Sequence, residues 1–197
     1  MSKENFKVTS REDGKEYWIS RALAVVGCIF TVTKEKEVKF LFEIRGKGCP
    51  DNVGKMAFPC GYLNWDETLE EAVRREIFEE LGLNLDKSEI IKWKLVDDPK
   101  ADARQNVVVR FAIYCTDLEQ QLPQLKEFIK HSEDRGGESD EVSELLLLDV
   151  NEINETPDEC FAFGHKTLVS EFMEGLINAD KEDENEDISP SHSTLMD

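Results

Sequence analysis

Three glutamates near the middle of the chain have a spacing that suits metal chemistry. Glu76, Glu79 and Glu80 occupy positions i, i+3 and i+4, which at about 100° per residue project from one arc of a helix. Carboxylates this close repel one another and destabilise an isolated helix. A divalent cation would remove that cost, and clustered hard oxygen ligands suit Mg²⁺ or Mn²⁺. The alternative is a solvated acidic flank balanced by neighbouring arginines.

The segment that carries these glutamates is predicted to be a helix from Leu69 to Leu81. Thr68 and Glu71 form a T-x-x-E capping box at its start, and Gly82 is a typical C-terminal stop. The acidic arc adjoins and partly overlaps an apolar stripe, so we expect the carboxylates at the edge of the packed face. The stripe consists of Leu69, Ala72, Val73, Ile77 and Leu81.

The flanking sequence mixes strand-like and helical segments. Two runs rich in Val, Ile and Phe, at residues 22–33 and 38–45, are separated by a charged hairpin turn. Because strands and helices mix without a strict βαβ repeat, we expect an α/β sandwich with a mixed sheet. The other predicted strands are 90–95, 106–116 and 144–150, and the other predicted helices are about 118–131 and 164–177.

The 197 residues include 24 basic and 43 acidic side chains, which gives a net charge of −19. Residues 178–197 hold seven acids and one lysine, and residues 132–144 hold six acids and one arginine. An acidic surface repels DNA and RNA backbones, so we expect no nucleic-acid polymer as a partner. A small nucleotide remains compatible, because a divalent cation can bridge carboxylates to phosphate.

Composition also predicts three parts: an N-terminal extension at 1–20, a folded domain at 21–177 and an acidic, disordered tail at 178–197. The longest nearly apolar run, at 22–30, is too short to span a membrane, and no signal peptide is recognisable. Five scattered cysteines without a CxxC pair favour a reducing compartment. We therefore expect a cytoplasmic protein that does not bind membranes.

The acidic helix lies within a longer pattern. The sequence from Gly61 to Leu83 matches the Nudix box, G-x5-E-x7-R-E-U-x-E-E-x-G-U, at every fixed position. A chance match is expected on the order of once in 10⁷ chains, which disfavours the interpretation as a solvated flank. The chain therefore resembles a Nudix hydrolase over roughly residues 22–172. The resemblance implies a Nudix-type α/β/α sandwich and an enzyme that acts on phosphoric anhydride bonds.

The resemblance also implies a mechanism, in which divalent cations assist attack of water on a phosphorus of a nucleoside diphosphate linked to another group. The metal ligands would be the carboxylates of Glu76, Glu79 and Glu80 and the backbone carbonyl of Cys60. Most members have glycine at the position of Cys60, and we expect its thiol to be packed rather than nucleophilic.

Supporting roles follow from the same resemblance. Arg75 would pair with a box carboxylate and orient it, Glu67 would support that pairing, and Gly61 would permit the turn from loop to helix. The general base is either a box glutamate or a Glu on a later loop, for which we choose Glu141 over the neighbouring Glu138 and Asp140. The catalytic set is then Glu76, Glu79, Arg75 and Glu141.

Residues beyond the box resemble the ADP-ribose pyrophosphatase branch, which often has a proline about sixteen positions further on. Pro99 lies sixteen residues after Leu83, in the stretch D-P-K-A-D-A-R that ends at Arg104. Pro99, Arg104 and Arg45 are the expected substrate-binding residues. The alternatives are that Pro99 ends a strand and that Arg104 pairs with a nearby acid. His165, in a segment similar to A-F-D-H, is expected to be packed or solvated rather than catalytic.

Three other functions remain open. A MutT-like nucleoside triphosphate pyrophosphatase would share the box. A nucleotide-sensing binding protein would be built on the same domain, although such proteins often lose box carboxylates and gain a DNA-binding module. An acidic scaffold without a site would leave the complete box unexplained. Analogy with ADP-ribose-cleaving members makes a homodimer possible.

Overall fold

The computed structural model describes residues 6–19, 22–86, 89–96, 107–131 and 140–186. Nine strands and four α-helices lie in these ranges. The strands are β1 (Phe6–Thr9), β2 (Glu16–Ile19), β3 (Leu23–Val32), β4 (Val38–Arg45), β5 (Met56–Ala57), β6 (Cys60–Tyr62), β7 (Glu89–Val96), β8 (Val107–Tyr114) and β9 (Val142–Asp149). The helices are α1 (Leu69–Leu81), α2 (Leu118–Lys130), α3 (Val150–Glu155) and α4 (His165–Glu186).

Seven strands form one mixed sheet in the described part of the chain. Its order is β5-β4-β3-β8-β7, with β6 paired to β3 and β9 paired to β4. The β3 and β8 strands run parallel over eight residue pairs, and the other pairs are antiparallel. The β1 and β2 strands form a separate two-stranded hairpin. The predicted α/β fold with a mixed sheet is confirmed.

Alternating residues of the central strands divide the core into two layers, as the period of two in a β-strand requires. On β4, Leu41 packs with α1 and α2, whereas Phe40 and Phe42 pack with α3 and α4. On β3, Ile29 belongs to the first layer and Cys28 to the second. The sheet is therefore covered on both faces, which is the arrangement of an α/β/α sandwich.

Helix α1 has the bounds and both ends that the sequence predicts. The Thr68 hydroxyl accepts the backbone N–H of Glu71, and the Glu71 carboxylate accepts the backbone N–H of Thr68. At the other end, Gly82 has a φ of 70° and donates its N–H to the carbonyl of Phe78. Four residues of the predicted apolar stripe, Ala72, Val73, Ile77 and Leu81, are buried.

Helix α4 is longer than the predicted helix at 164–177. It continues to Glu186, so that boundary was wrong by nine residues, and the start of the predicted disordered tail is helical. The helix was predicted to end at Ile177 because the residues that follow are acidic and polar. Glu is nevertheless a good helix former. Residues 187–197 lie outside the described residues. Every helix in the described ranges is too short or too polar to cross a lipid bilayer.

The C-terminus of α1 provides a test of backbone conformation. We expect Gly82→Ala to destabilise the protein by at least about 1–2 kcal/mol, because an L-residue is strained at this left-handed φ. A Cβ at Gly82 would also overlap the ring of Phe128. Chemical denaturation measures the change in the free energy of unfolding.

Gly175→Ala is the matched control for that experiment. Gly175 lies in α4, and an added Cβ meets nothing within 4 Å, so alanine should be neutral or stabilise the helix by up to about 1 kcal/mol. Equal losses of stability in the two variants would contradict the explanation.

Candidate active site

The candidate site lies where strand β6 comes close to helix α1. Cys60 packs against the core layer of α3 and α4, so the next residue, Gly61, faces α1. A Cβ at Gly61 would overlap the carboxylate of Glu76. Gly61 is not among the glycines with a positive φ in the described residues. Its predicted role in permitting a turn was therefore wrong: the glycine leaves space for a carboxylate.

Glu80 also lies beside strand β6, and the backbone of that strand binds its side chain. Its carboxylate accepts the backbone N–H of Cys60 at 3.1 Å. Burial raises the pKa of Glu80 well above its ordinary value, and the negative charges of Glu43, Glu76 and Glu141 raise it further. Burial also raises the pKa of Glu76, although Arg75 opposes that shift. The protein therefore holds two carboxylates where ionisation is costly.

Arg75 joins the carboxylates of the box. Its guanidinium donates to both oxygens of Glu67, at 3.0 and 2.8 Å, and to Glu76 and Glu79 at 2.7 and 3.0 Å. It also donates to the carbonyl of Tyr62 at 3.0 Å. The hydrogen bonds from Arg75 lower the pKa of Glu67. The predicted pairing of Arg75 with box carboxylates is present, and this network fixes the Glu76 side chain.

The three box glutamates, Glu76, Glu79 and Glu80, occupy different environments. The Glu79 side chain is 41% exposed and pairs with Arg75, whereas the Glu76 side chain is 13% exposed. Glu80 is partly buried against Cys60. Glu76 and Glu80 therefore face the space between α1 and the sheet, and Glu79 lies at its outer rim.

Glu141, the residue chosen as general base, lies just before β9. Its backbone carbonyl accepts the N–H of Gly46 at 2.6 Å and the thiol of Cys49 at 3.1 Å. Its charge raises the pKa of Glu76 and of Glu80, so its carboxylate lies within electrostatic range of both. Glu141 is thus near enough to the box carboxylates for its charge to affect them. Glu138 lies outside the described residues.

Arg45, predicted to bind substrate, is only 6% exposed. Its Nε donates to the carbonyl of Asp51 at 3.2 Å, and its guanidinium lies 4.0 Å from the carboxylate of Glu43. It also stacks 4.9 Å from the ring centre of Phe163. Arg45 is thus engaged within the protein, and its contact with substrate stays a prediction. Pro99 and Arg104 lie outside the described residues.

Glu43 is a site residue that the sequence interpretation missed. It lies on β4 and is 1% exposed. Burial raises the pKa of its carboxyl, which is the largest effect, and the positive charge of Arg45 opposes the shift. The available signal was a charged residue two positions after Leu41, within the otherwise apolar run at residues 40–44. That spacing places Glu43 on the face that packs against α1.

The donor chemistry of this region fits a divalent cation. The described residues contain no preassembled group of three or more His, Cys, Asp or Glu side chains that could hold a metal ion. Burial nevertheless raises the pKa values of Glu43, Glu76 and Glu80, and the charges of Glu43 and Glu76 raise that of Glu80 further. Neither Glu43 oxygen accepts a hydrogen bond from an N–H or O–H donor of the described residues. Buried negative charge of this kind calls for a compensating positive charge.

Comparison with known families decides the identity of the chain. A family model of the NUDIX domain matches residues 21–172, which include all these carboxylates. The chain belongs to the Nudix family. It is a Nudix hydrolase that acts on phosphoric anhydride bonds.

Proteins similar to this chain include a named pyrophosphatase and a Nudix-domain protein that was solved with ADP ribose and with DNA. An ADP-ribose pyrophosphatase of Methanocaldococcus jannaschii is 28% identical over 172 residues, which cover 85% of this chain and 83% of the relative. The NUDIX domain of Shewanella oneidensis NrtR, solved with ADP ribose, is 20% identical with a TM-score of 0.59, covering 80% and 90% of the two chains. NrtR complexed with a 27mer DNA is 22% identical with a TM-score of 0.53, covering 78% of this chain and 61% of NrtR. The two structural likenesses show a shared fold.

His165 of the Nudix domain is a packed residue. It is 4% exposed, and its Nδ1 accepts the backbone N–H of Phe58 at 2.9 Å. Burial lowers the pKa of His165 to about 3, and the positive charges of Arg110 and Arg45 add to the shift. The ring is therefore neutral, with its proton on Nε2, and it binds the segment that joins β5 to β6.

The neutral state of His165 predicts a pH dependence of stability. Below a pH of about 6.5 the unfolded chain binds a proton that the folded protein excludes, so stability falls as the pH decreases toward 3, by up to about 1.4 kcal/mol per pH unit. His165→Asn keeps an acceptor for the Phe58 N–H and removes this titration. Between pH 7 and 5.5, wild type should lose about 1 kcal/mol more than the variant in chemical denaturation.

His131→Asn serves as the control, because the His131 side chain is 66% exposed. This variant keeps His165, so between pH 7 and 5.5 it should still lose about 1 kcal/mol more than His165→Asn does. Identical pH profiles for wild type and His165→Asn would show that His165 is not held neutral in the fold.

Proposed function

We propose that this Nudix hydrolase is a divalent-metal-dependent pyrophosphohydrolase that cleaves ADP-ribose or a similar nucleotide sugar. The observation that carries the proposal is the convergence of Glu76 and Glu80 on a confined space beside Cys60. The curated relative is named an ADP-ribose pyrophosphatase, which supports the substrate class. A polyanionic substrate requires positive charge in a site lined by carboxylates, and a cation supplies it.

Glu76 and Glu80 would be the principal ligands of Mg²⁺ or Mn²⁺, with the Cys60 carbonyl and Glu79 completing the protein's contribution. When bound, the cation would neutralise phosphate charge, position the attacking water and lower its pKa. The exposed position of Glu79 favours a more peripheral role than those of Glu76 and Glu80.

Other residues of the chain orient these ligands. Arg75 holds the Glu76 carboxylate through a 2.7 Å hydrogen bond, and the Cys60 N–H holds Glu80 at 3.1 Å. Such partners limit rotation of a ligand and tune its charge. Arg75 is therefore a positioning residue, even though the sequence pattern groups it with the catalytic set.

Glu141 is the proposed general base that accepts a proton from the attacking water. Its backbone is anchored by Gly46 and Cys49, and its charge acts on Glu76 and Glu80. A base must come within hydrogen-bond reach of the water, directly or through one further water. A box glutamate is the alternative base.

A nucleotide-sensing protein is the second candidate function, because the NrtR structures contain ADP ribose in one case and DNA in another. The intact box carboxylates of this chain favour hydrolysis. The net charge of −19 disfavours binding to a DNA backbone. A MutT-like triphosphate pyrophosphatase remains the alternative enzyme.

A substrate panel tests the proposed reaction. With Mg²⁺ or Mn²⁺, the purified protein should hydrolyse ADP-ribose to AMP and ribose 5-phosphate, which chromatography resolves. Chelation of the metal should abolish the reaction. Hydrolysis of dNTPs with none of ADP-ribose would contradict the substrate assignment, and tight ADP-ribose binding without turnover would favour the sensing function.

Glu80→Gln tests the role of the box carboxylate. The amide oxygen can still accept the Cys60 N–H, so the fold should survive, while kcat/KM should fall at least about 100-fold, or roughly 2.7 kcal/mol of transition-state stabilisation.

Glu70→Gln is the matched control on the same helix. Glu70 is exposed and pairs with Arg74 at 2.9 Å, so its substitution should leave kcat/KM within about twofold of wild type. Full activity in Glu80→Gln would overturn the metal-ligand assignment.

A further inference from the structure

Side chains of β4 alternate between the two faces of the sheet. On the face toward α1 and α2, a carboxylate occupies a position where an apolar side chain would continue the core. Leu41 packs with the residues of α1, and Glu43, two residues later, lies on the same face of the strand. Its register neighbours are Ala57 on β5 and Leu145 on β9, so its backbone is enclosed by strands on both sides. The Glu43 side chain therefore projects from the sheet toward α1.

The Glu43 carboxylate has little compensation in this position. At 1% exposure it is shielded from water, and neither oxygen accepts a hydrogen bond from an N–H or O–H donor of the described residues. The guanidinium of Arg45 lies at 4.0 Å and also serves Asp51 and Phe163. A buried carboxylate without a hydrogen-bond donor lowers the stability of the fold, and a position selected only for packing would avoid that cost.

The other carboxylates near Glu43 indicate that a cation would be its partner. The Glu80 carboxyl lies close enough to Glu43 for a carboxyl–carboxyl hydrogen bond that lowers the pKa of Glu43, and the negative charges of Glu141 and Glu76 raise it. A single proton shared with Glu80 would satisfy one oxygen and leave the remaining negative charge in place. A divalent cation would compensate several of these carboxylates together, and oxygen ligands of this type suit Mg²⁺ and Mn²⁺.

We propose that Glu43, which lies outside the Nudix box, supplies an additional carboxylate ligand to the divalent cation held by Glu76 and Glu80. This inference rests on the proposed metal dependence. It adds a sheet residue to a ligand set otherwise provided by α1 and by the backbone of Cys60. The cation would thus join the helix to the sheet and would compensate the charge that β4 buries.

Binding of Mn²⁺ to protein stripped of metal by a chelator tests the proposal without substrate. Isothermal titration calorimetry should show Mn²⁺ binding to wild type, and Glu43→Gln should weaken it about 10- to 100-fold. In the absence of metal, Glu43→Gln should unfold at a temperature equal to or above that of wild type, because a neutral amide is less costly to bury. Saturating Mn²⁺ should raise the Tm of wild type more than that of the variant.

Glu144→Gln is the matched control, since Glu144 is an exposed residue of β9 opposite Ile44. It removes one negative charge nearby and should leave Mn²⁺ affinity within about twofold of wild type. An equal loss of Mn²⁺ affinity in both variants would show that the loss comes from the lower negative charge of the region. That result would overturn the ligand assignment.

The remaining outcomes separate this inference from the proposed function. Wild-type affinity in Glu43→Gln together with lost affinity in Glu80→Gln would overturn the role of Glu43 and leave the proposed function intact. Absence of Mn²⁺ binding in wild type would overturn both. If Glu43→Gln does not fold, Glu43→Asp decides, because moving the carboxylate back by one methylene should weaken Mn²⁺ binding several-fold; unchanged affinity would overturn the proposal.

Discussion

Mutual repulsion between buried carboxylates is the interaction on which the rest of this site depends. Glu76 and Glu80 on α1 face Glu43 on β4, and burial raises the pKa of all three. Repulsion between buried charges is strong because little water screens it. The fold must therefore hold α1 against the sheet with other interactions and must supply positive charge, part of which comes from Arg45 and Arg75.

The interactions that hold α1 act at its two ends and along its apolar stripe. The capping box of Thr68 and Glu71 fixes the first turn, and the Gly82 cap fixes the last. Ile77 and Leu81 are fully buried between them. Because Ile77 directly follows Glu76 and Leu81 directly follows Glu80, the contacts that pack the core also determine where the two carboxylates lie.

Local sequence signals predicted α1 completely, because capping, apolar periodicity and the C-terminal glycine all agree. Glu43 was missed because its importance arises from the packing of β4 against α1, for which one charged residue in an apolar run is only a weak local signal. The role of Gly61 was misassigned for the same reason, since the nearby Glu76 carboxylate belongs to another element. Pro99 and Arg104 lie outside the described residues, so their predicted roles stay predictions.

Two glycines determine how closely α1 approaches the sheet. A Cβ at Gly27 on β3 would lie 2.6 Å from the Cδ1 atom of Ile77, and a Cβ at Gly61 would overlap Glu76. Larger residues at either position would force the helix away from the strands, because interiors are close-packed and transmit such shifts. The distance from Glu43 to the α1 carboxylates is thus determined by backbone packing, and a site with ligands on both elements depends on that distance for its affinity.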